Sequence, residues 1–458
     1  MLKSRKIFGT IIATMLSLSM IACGNQSGGG SSTTSQVSVP KINEINLDKD
    51  YKDLKANITI LTNRTDIVDT VYAGYAKQFM ELYPNIKVTY QGVTDYEQTM
   101  QLKLSTGDWG DICFIPTSVD KSELPNYFIE LGDTSTLDGI YNFGVTSQYD
   151  GKQYGIANGG TANGIVYNKK VWKDAGITTM PKTPDEFLAD LQKIKDNTKA
   201  VPMYTNFAAA WTVGAWDAYI GGTATGDADF MNNKIVHMKN PFAKKSDGTG
   251  PYAIYNTLYQ AVSKKLIEND PTGTDWESSK GMLNRGEIGC MVLGSWAVNQ
   301  IKDAGDKKDD VGYMPFPITV NGKQYATAGG NYSFGVNKKS SNENQIASML
   351  YIKWLVEKSP MYKDEGSIPA LKSEKLPDVL NDFKDVQLVI DNPAKSGEES
   401  LFNDINNESE VGLNKDNNKK CEIVEAALNG NKTVDQIMDD WNAKWSVAQQ
   451  KLKVDVNK

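Results

Sequence analysis

A single histidine stands in this chain of 458 residues, and that scarcity narrows the chemistry. With only His237, a histidine-built metal site or a serine–histidine triad has little to draw on. Cysteine is nearly as scarce, at four, and no pair has metal-ligand spacing. Cys113 and Cys290 sit in apolar strand-like runs, DICFI and IGCMVL, and read as small buried hydrophobes. Together with Cys421 they form an odd set once Cys23 is set aside, so one thiol stays unpaired. Clusters of basic residues are missing too. A net charge of −7 argues against nucleic acid or anionic lipid as a partner. No glycine-rich loop ends in Gly-Lys-Ser/Thr, so there is no phosphate loop. The GGTANG run at 159–164 lacks the glycine spacing of a dinucleotide fingerprint. No paired-carboxylate motif announces a hydrolase, and no cofactor or metal is expected.

What the chain does have begins with a leader. Lys3, Arg5 and Lys6 form a positive segment, and an apolar stretch runs from Ile7 to Ala22 and meets Cys23. This is the pattern of a secretory signal over 1–22, and it is short for a spanning helix. Met20-Ile21-Ala22-Cys23 resembles a bacterial lipobox, whose cysteine is lipidated and becomes the new N-terminus. A diacylated Cys23 would supply two buried chains, enough for lasting attachment to a membrane face. Loss of the leader removes three positive charges and no negative one, leaving the body more acidic. Residues 24–39, GNQSGGGSSTTSQVSV, have the composition of a flexible tether. The tether is expected to run from Cys23 to about residue 55, lifting an extracytoplasmic body off the cell membrane.

The body reads as alternating strands and helices. Ile58–Thr62 is a β-branched run, and Ile67, Val71, Tyr75, Phe79 and Leu82 follow with helical spacing. Asn63, Arg64 and Asp66 therefore fall in a loop at the carboxyl end of a strand, with Asp66 placed to cap the helix. Ligands of open α/β sheets bind at such ends. Ile86–Tyr90 and Asp111–Ile115 are further strands, so the first third predicts a parallel sheet with right-handed crossovers. Trp109 reads as packing. The stretch Tyr154–Lys170, YGIANGGTANGIVYNKK, is a loose Gly/Asn loop feeding a buried strand, suited either to a hinge or to a polar contact surface. Two more loose connections recur, at Ala328–Tyr332 and at Gly366–Ala370. Capping boxes start helices at Thr183 and Thr433. Trp211 and Trp216 lie beside small residues, where they either pack the core or offer flat faces to a ligand. Trp296 follows Gly294-Ser295 at the carboxyl end of another strand.

Several of these stretches carry a family resemblance. They are Cys23 in its lipobox, Tyr83–Val88, Tyr154–Ile156 through Ile165–Lys169, the helix start at Pro181–Thr183, Gly294–Trp296 and Gly366–Pro369. From about Ile58 to the end the chain resembles the extracellular solute-binding proteins of bacterial ABC sugar importers, the family that includes maltose-binding protein. The resemblance implies an α/β fold of the type II periplasmic-binding kind, two lobes joined by three hinge crossings. One lobe would use 56–162 plus 336–362, the other 163–335 plus 366–458. It also implies a monomer that closes on its ligand and docks on permease subunits. A carbohydrate presents hydroxyl edges to polar side chains and C–H faces to aromatic rings. The residues expected to hold it are Asn63, Arg64 and Asp66 from one lobe, and Trp211, Trp216 and Trp296 from the other. Thr161, Asn163, Asn331 and Tyr332 would come from the crossings. The alternatives are a binding protein for another solute, such as a polyamine or ferric ion, and a secreted glycoside hydrolase.

Overall fold

The computed structural model of the chain describes residues 38–456. The leader, Cys23 and the Gly/Ser/Thr stretch to Val37 lie outside those residues. The body begins with β1 (Ala56–Thr62), α1 (Ala73–Leu82), β2 (Ile86–Gly92), α2 (Tyr96–Thr106) and β3 (Ile112–Phe114). It continues through β4 (Gly155–Ala157), β5 (Gly160–Asn168), α3 (Pro184–Asn197) and β6 (Val201–Met203). Then come α4 (Trp276–Arg285), β7 (Ile288–Gly294), α5 (Ala297–Asp303), β8 (Val311–Pro315) and β9 (Gln324–Gly330). The last main elements are β10 (Ser333–Val336), α6 (Asn342–Glu357), β11 (Val386–Val389) and α7 (Val434–Lys451). Thr183 and Thr433 each accept the backbone N–H of the third helical residue, whose side chain answers in return, so both expected capping boxes form.

Two sheets result. In the first, the order is β2-β1-β3-β10-β4, with β1 parallel to β2 and β3 and with β10 antiparallel to both of its neighbours, β3 and β4. In the second, the order is β11-β9-β5-β7-β6, and β8 also pairs with β5. The long strand β5 alternates its side chains. Ile165 and Tyr167 enter one apolar cluster while Ala162 and Val166 enter another on the opposite face, so this sheet is covered on both sides. The first sheet is buried chiefly under α1, α2 and α6, and Ile346–Val356 of α6 is almost wholly excluded from water. Among the described residues no helix is long and apolar enough to cross a membrane.

Three details differ from expectation. Ile42, Ile45 and Leu47 are buried in the first lobe's core and the Tyr83 hydroxyl donates to the Leu47 carbonyl. Apolar side chains at this spacing anchor a segment whose composition upstream reads as a tether. Asp66 caps no helix, because the chain makes a wide π-turn at Val68–Tyr72 before α1 and the Asp66 carboxylate goes to Arg64 instead. Finally, Gly160–Ala162 already belong to the second sheet and Ser333–Gly335 to the first, a few residues from the lobe boundaries expected at 162/163 and 335/336.

The three crossings are bound to one another. Gly160 and Ile368 exchange two backbone hydrogen bonds, Asn331 N–H donates to the Gly159 carbonyl and Asn158 N–H to that of Tyr332. Gly160 has no room for a side chain, since a Cβ there would lie 2.2 Å from the Phe143 ring and 2.8 Å from the Gly329 carbonyl. Gly160→Ala is expected to lower stability by about 1–3 kcal/mol, the usual cost of overpacking. A urea transition with an unmoved midpoint would contradict this close packing.

Candidate functional site

The loop after β1 forms one wall. Thr62 Oγ1 accepts the Arg64 backbone N–H at 3.1 Å, which turns the chain out of the strand. The Arg64 guanidinium grips Asp66 with two parallel bonds, Nε to Oδ1 and Nη2 to Oδ2, both 2.9 Å. Its Nη1 lies 3.9 Å from Glu365, which also accepts the Tyr72 hydroxyl at 2.9 Å. Burial works against the Arg64 charge, but Asp66 and Glu365 outweigh it and hold the cation firmly protonated. Burial alone would raise Asp66, yet Arg64 keeps its carboxyl below the usual range. Glu365 goes the other way, raised by burial despite Arg64 and Tyr72. The arginine is thus neutralised by side chains of its own chain. Asn63, half-buried beside it, makes no side-chain hydrogen bond among the described residues.

The crossings supply the floor. Asn331 Nδ2 donates to Ser367 Oγ at 3.4 Å, linking the second crossing to the third. The Tyr332 ring stacks on Phe114 at 5.5 Å and its hydroxyl donates to Glu97 at 2.9 Å, so the ring is held in a fixed attitude. Asn158, which sequence reading passed over, is buried with its side-chain oxygen unpartnered.

The second lobe carries an aromatic surface. Where β7 ends, Ser295 Oγ meets Thr161 Oγ1 at 3.0 Å and accepts the Ala162 N–H, which locks the first crossing to the turn before α5. Trp296 follows. Its ring lies 5.8 Å from Trp211 and 5.7 Å from Trp276, and those two are 5.3 Å apart at 80°. Trp211 is 36% exposed, and the other two are half-buried. Three partly exposed indoles in one cluster form a surface suited to C–H groups. Trp276 was not anticipated. It begins α4 behind an Asp275 cap, and a lone tryptophan at a helix start carries no signal of its own until the fold brings it to Trp211 and Trp296. Lys280 lies 5.3 Å over the Trp276 ring and pairs with Glu277, and its charge is felt at Asp66 on the first lobe.

Two expected contacts are placed elsewhere. Trp216 is 3% exposed and packs on Tyr219 and Phe316, because the short helices from Trp211 to Tyr219 turn it inward, into the second lobe's core. Asn163 is buried with its amide donating to the Ala218 carbonyl at 2.8 Å, a tie between β5 and that helical segment.

Known proteins resemble this chain in sequence and fold. Residues 63–362 match the family described as bacterial extracellular solute-binding protein. A manno-oligosaccharide specific solute binding protein of Bifidobacterium animalis subsp. lactis, solved with mannotriose, superposes with a TM-score of 0.88 at 50% identity, covering 90% of this chain and 99% of that one. A maltooligosaccharide ABC transporter solute-binding lipoprotein of Streptococcus pneumoniae is 24% identical over 389 residues, 81% of each chain. The maltotriose-binding protein of Pyrococcus abyssi is 22% identical, and the match spans 68% of this chain and 66% of that protein's length.

The attitude of Trp296 depends on Gly294. A Cβ at that position would fall 2.6 Å from Thr161 Oγ1 and 2.7 Å from Trp296 Cδ1. Gly294→Ala is expected to fold yet push the indole out of its cluster, altering near-ultraviolet circular dichroism and tryptophan emission. Spectra identical to the parent would count against that dependence.

Proposed function

Because the chain belongs to the bacterial extracellular solute-binding protein family, we propose that it is the capture subunit of an ABC importer and that its cargo is a neutral manno-oligosaccharide. The observation that carries the reading is half-identity, across nine-tenths of this chain, to a binding protein whose structure holds mannotriose. The site's chemistry agrees. The partly exposed indoles of Trp211, Trp276 and Trp296 suit the C–H faces of pyranose rings. Asn63, Asn158 and Asn331 suit hydroxyl edges. Arg64 is already neutralised by Asp66 and Glu365, so a carboxylated sugar has no free cation to meet there. A polyamine would need free carboxylates around the rings, and Glu277 and Asp66 are each paired with a cation.

In this reading the sugar lies between the lobes, and contacts from both sides exist together only when the lobes are shut. Ligand then draws the population toward the shut form, which the permease subunits accept. Diacylation at Cys23, followed by a tether, would keep the protein on the outer face of the cell membrane. The lipoprotein from Streptococcus pneumoniae supports that arrangement by analogy. In this reading the chain acts by binding and releasing its solute, which membership of the extracellular solute-binding family supports.

In a thermal-shift series, mannobiose and mannotriose are expected to raise the melting temperature, since a ligand at about 100 times its Kd adds about 2.7 kcal/mol. Uronic saccharides and spermidine are not. A shift with spermidine alone would overturn the assignment. Trp296→Ala and Trp276→Ala are each expected to weaken mannotriose binding more than tenfold, for a loss of about 2 kcal/mol, while Trp216→Phe changes stability more than affinity. Calorimetry giving the parent's Kd for both alanine variants would remove the indole surface from the site.

A further inference from the structure

The lobes also meet at a charged corner, beside the short helix that opens with Trp211. Asp120 and Lys121 stand on the first lobe, in the connection after β3. Asp391 and Lys415 stand on the second, one just past β11 and the other just past the buried Leu413. Lys415 Nζ donates to Asp120 Oδ1 at 2.8 Å, joining side chains 22% and 36% exposed. Lys121 makes no ion pair among the described residues, and Asp391 has a buried Oδ1 that accepts no hydrogen bond among them. Burial lowers Lys121 below the ordinary lysine range, with Asp391 and then Glu399 opposing. Burial likewise pushes Asp391 up to about 6, with Lys121 opposing. None of the four makes a hydrogen bond or ion pair with Trp211, Trp276 or Trp296.

We infer that this corner is an electrostatic latch, and that Asp120 and Lys415 are positioning residues which set how long the lobes stay shut around an uncharged cargo. The inference rests on the reading of the protein as a two-lobe binder and names how its site is regulated. The argument is one of populations. A contact between lobes exists only in the shut form, so its free energy adds to that form alone and enters the apparent affinity without touching the ligand. The bridge sets opposite charges face to face across the lobes, so the lobes attract when shut. Partial exposure keeps the Asp120–Lys415 bridge weak enough to open.

The test is a charge exchange in the whole chain without its leader: Asp120→Lys, Lys415→Asp and the two together. Each single change sets like charges face to face, and the double restores an opposite pair with its polarity reversed. Each single is expected to weaken mannotriose binding roughly fivefold, mainly through faster dissociation. The double is expected to recover to within about twofold of the parent. The differences should narrow at about 0.5 M salt, where screening is short-ranged. Singles that match the parent, or a double no better than either single, overturn the latch. Should the parent bind no saccharide, the proposed cargo fails and the latch is read by small-angle scattering. Ligand-free singles are then expected to be more expanded than the parent and the double to return to its size, whereas equal radii overturn it.

Discussion

Backbone hydrogen bonds among the three crossings hold the two lobes in one molecule. Asn158 to Gly160, Gly330 to Tyr332 and Gly366 to Ile368 bond to each other rather than running separately through solvent. The first two crossings each leave one sheet as a strand ends and enter the other within a few residues, and the third runs beside them, so their amides would be buried without partners if the neighbours were absent. The cost of such orphans forces the crossings to lie side by side. Small residues are the consequence, since the backbones approach too closely for a Cβ at Gly160. The candidate site is built on this knot. Asn331 and Tyr332 come from it directly, and Thr161 ties it to the turn that presents Trp296.

From that fixed floor the walls differ in kind. The first lobe offers charge that is already compensated, with Arg64 held by Asp66 and Glu365. The second offers aromatic area with little charge, except where Lys280 covers Trp276. This division suits a ligand with polar edges and apolar faces. It also explains which tryptophans are available. Trp216, Trp441 and Trp445 sit in the body of the second lobe, at most 3% exposed, and stabilise it by burial. Trp211, Trp276 and Trp296 lie at element ends beside the cleft. Trp276 meets both other rings edge to face, Trp211 and Trp296 are tilted at 49°, and all three stay partly exposed.

Much of this was legible from the residues. The β-branched runs at 58–62 and 86–90, the capping boxes at Thr183 and Thr433 and the three loose Gly/Asn connections carry local signals that tertiary packing did not override. The place of Trp296 just past a strand's end was legible because it follows a glycine and a serine there. The tether's length was misread because composition reports the polar residues and not the three buried ones at 42, 45 and 47. Asp66 was misread because a carboxylate before a helical run has two outlets, a free amide or a nearby arginine, and spacing does not choose between them. Trp216 was misread for a similar reason. Five residues after Trp211 it points to the other side of a short helical turn, and the direction of that turn is set by contacts with Tyr219 and Phe316. Trp276 and Asn158 were missed because their partners are remote in sequence.

The separation of roles in the cleft has a further consequence. A carrier has to hold its cargo in dilute surroundings and surrender it on contact with a transporter. Concentrating all the binding free energy on the ligand would meet the first demand and defeat the second. In this molecule part of the free energy of closing lies between the lobes instead, at Asp120–Lys415 and in the Asn299 amide that donates to the Asp364 carbonyl. These are partly exposed polar contacts, individually modest, and they can exchange with water or with a partner's charges as the lobes part. The crossings need not unravel for this, because their hydrogen bonds run among themselves and not across the cleft. A stiff knot, a neutral grip and a weak rim together give a clamp whose opening is governed by contacts outside the site.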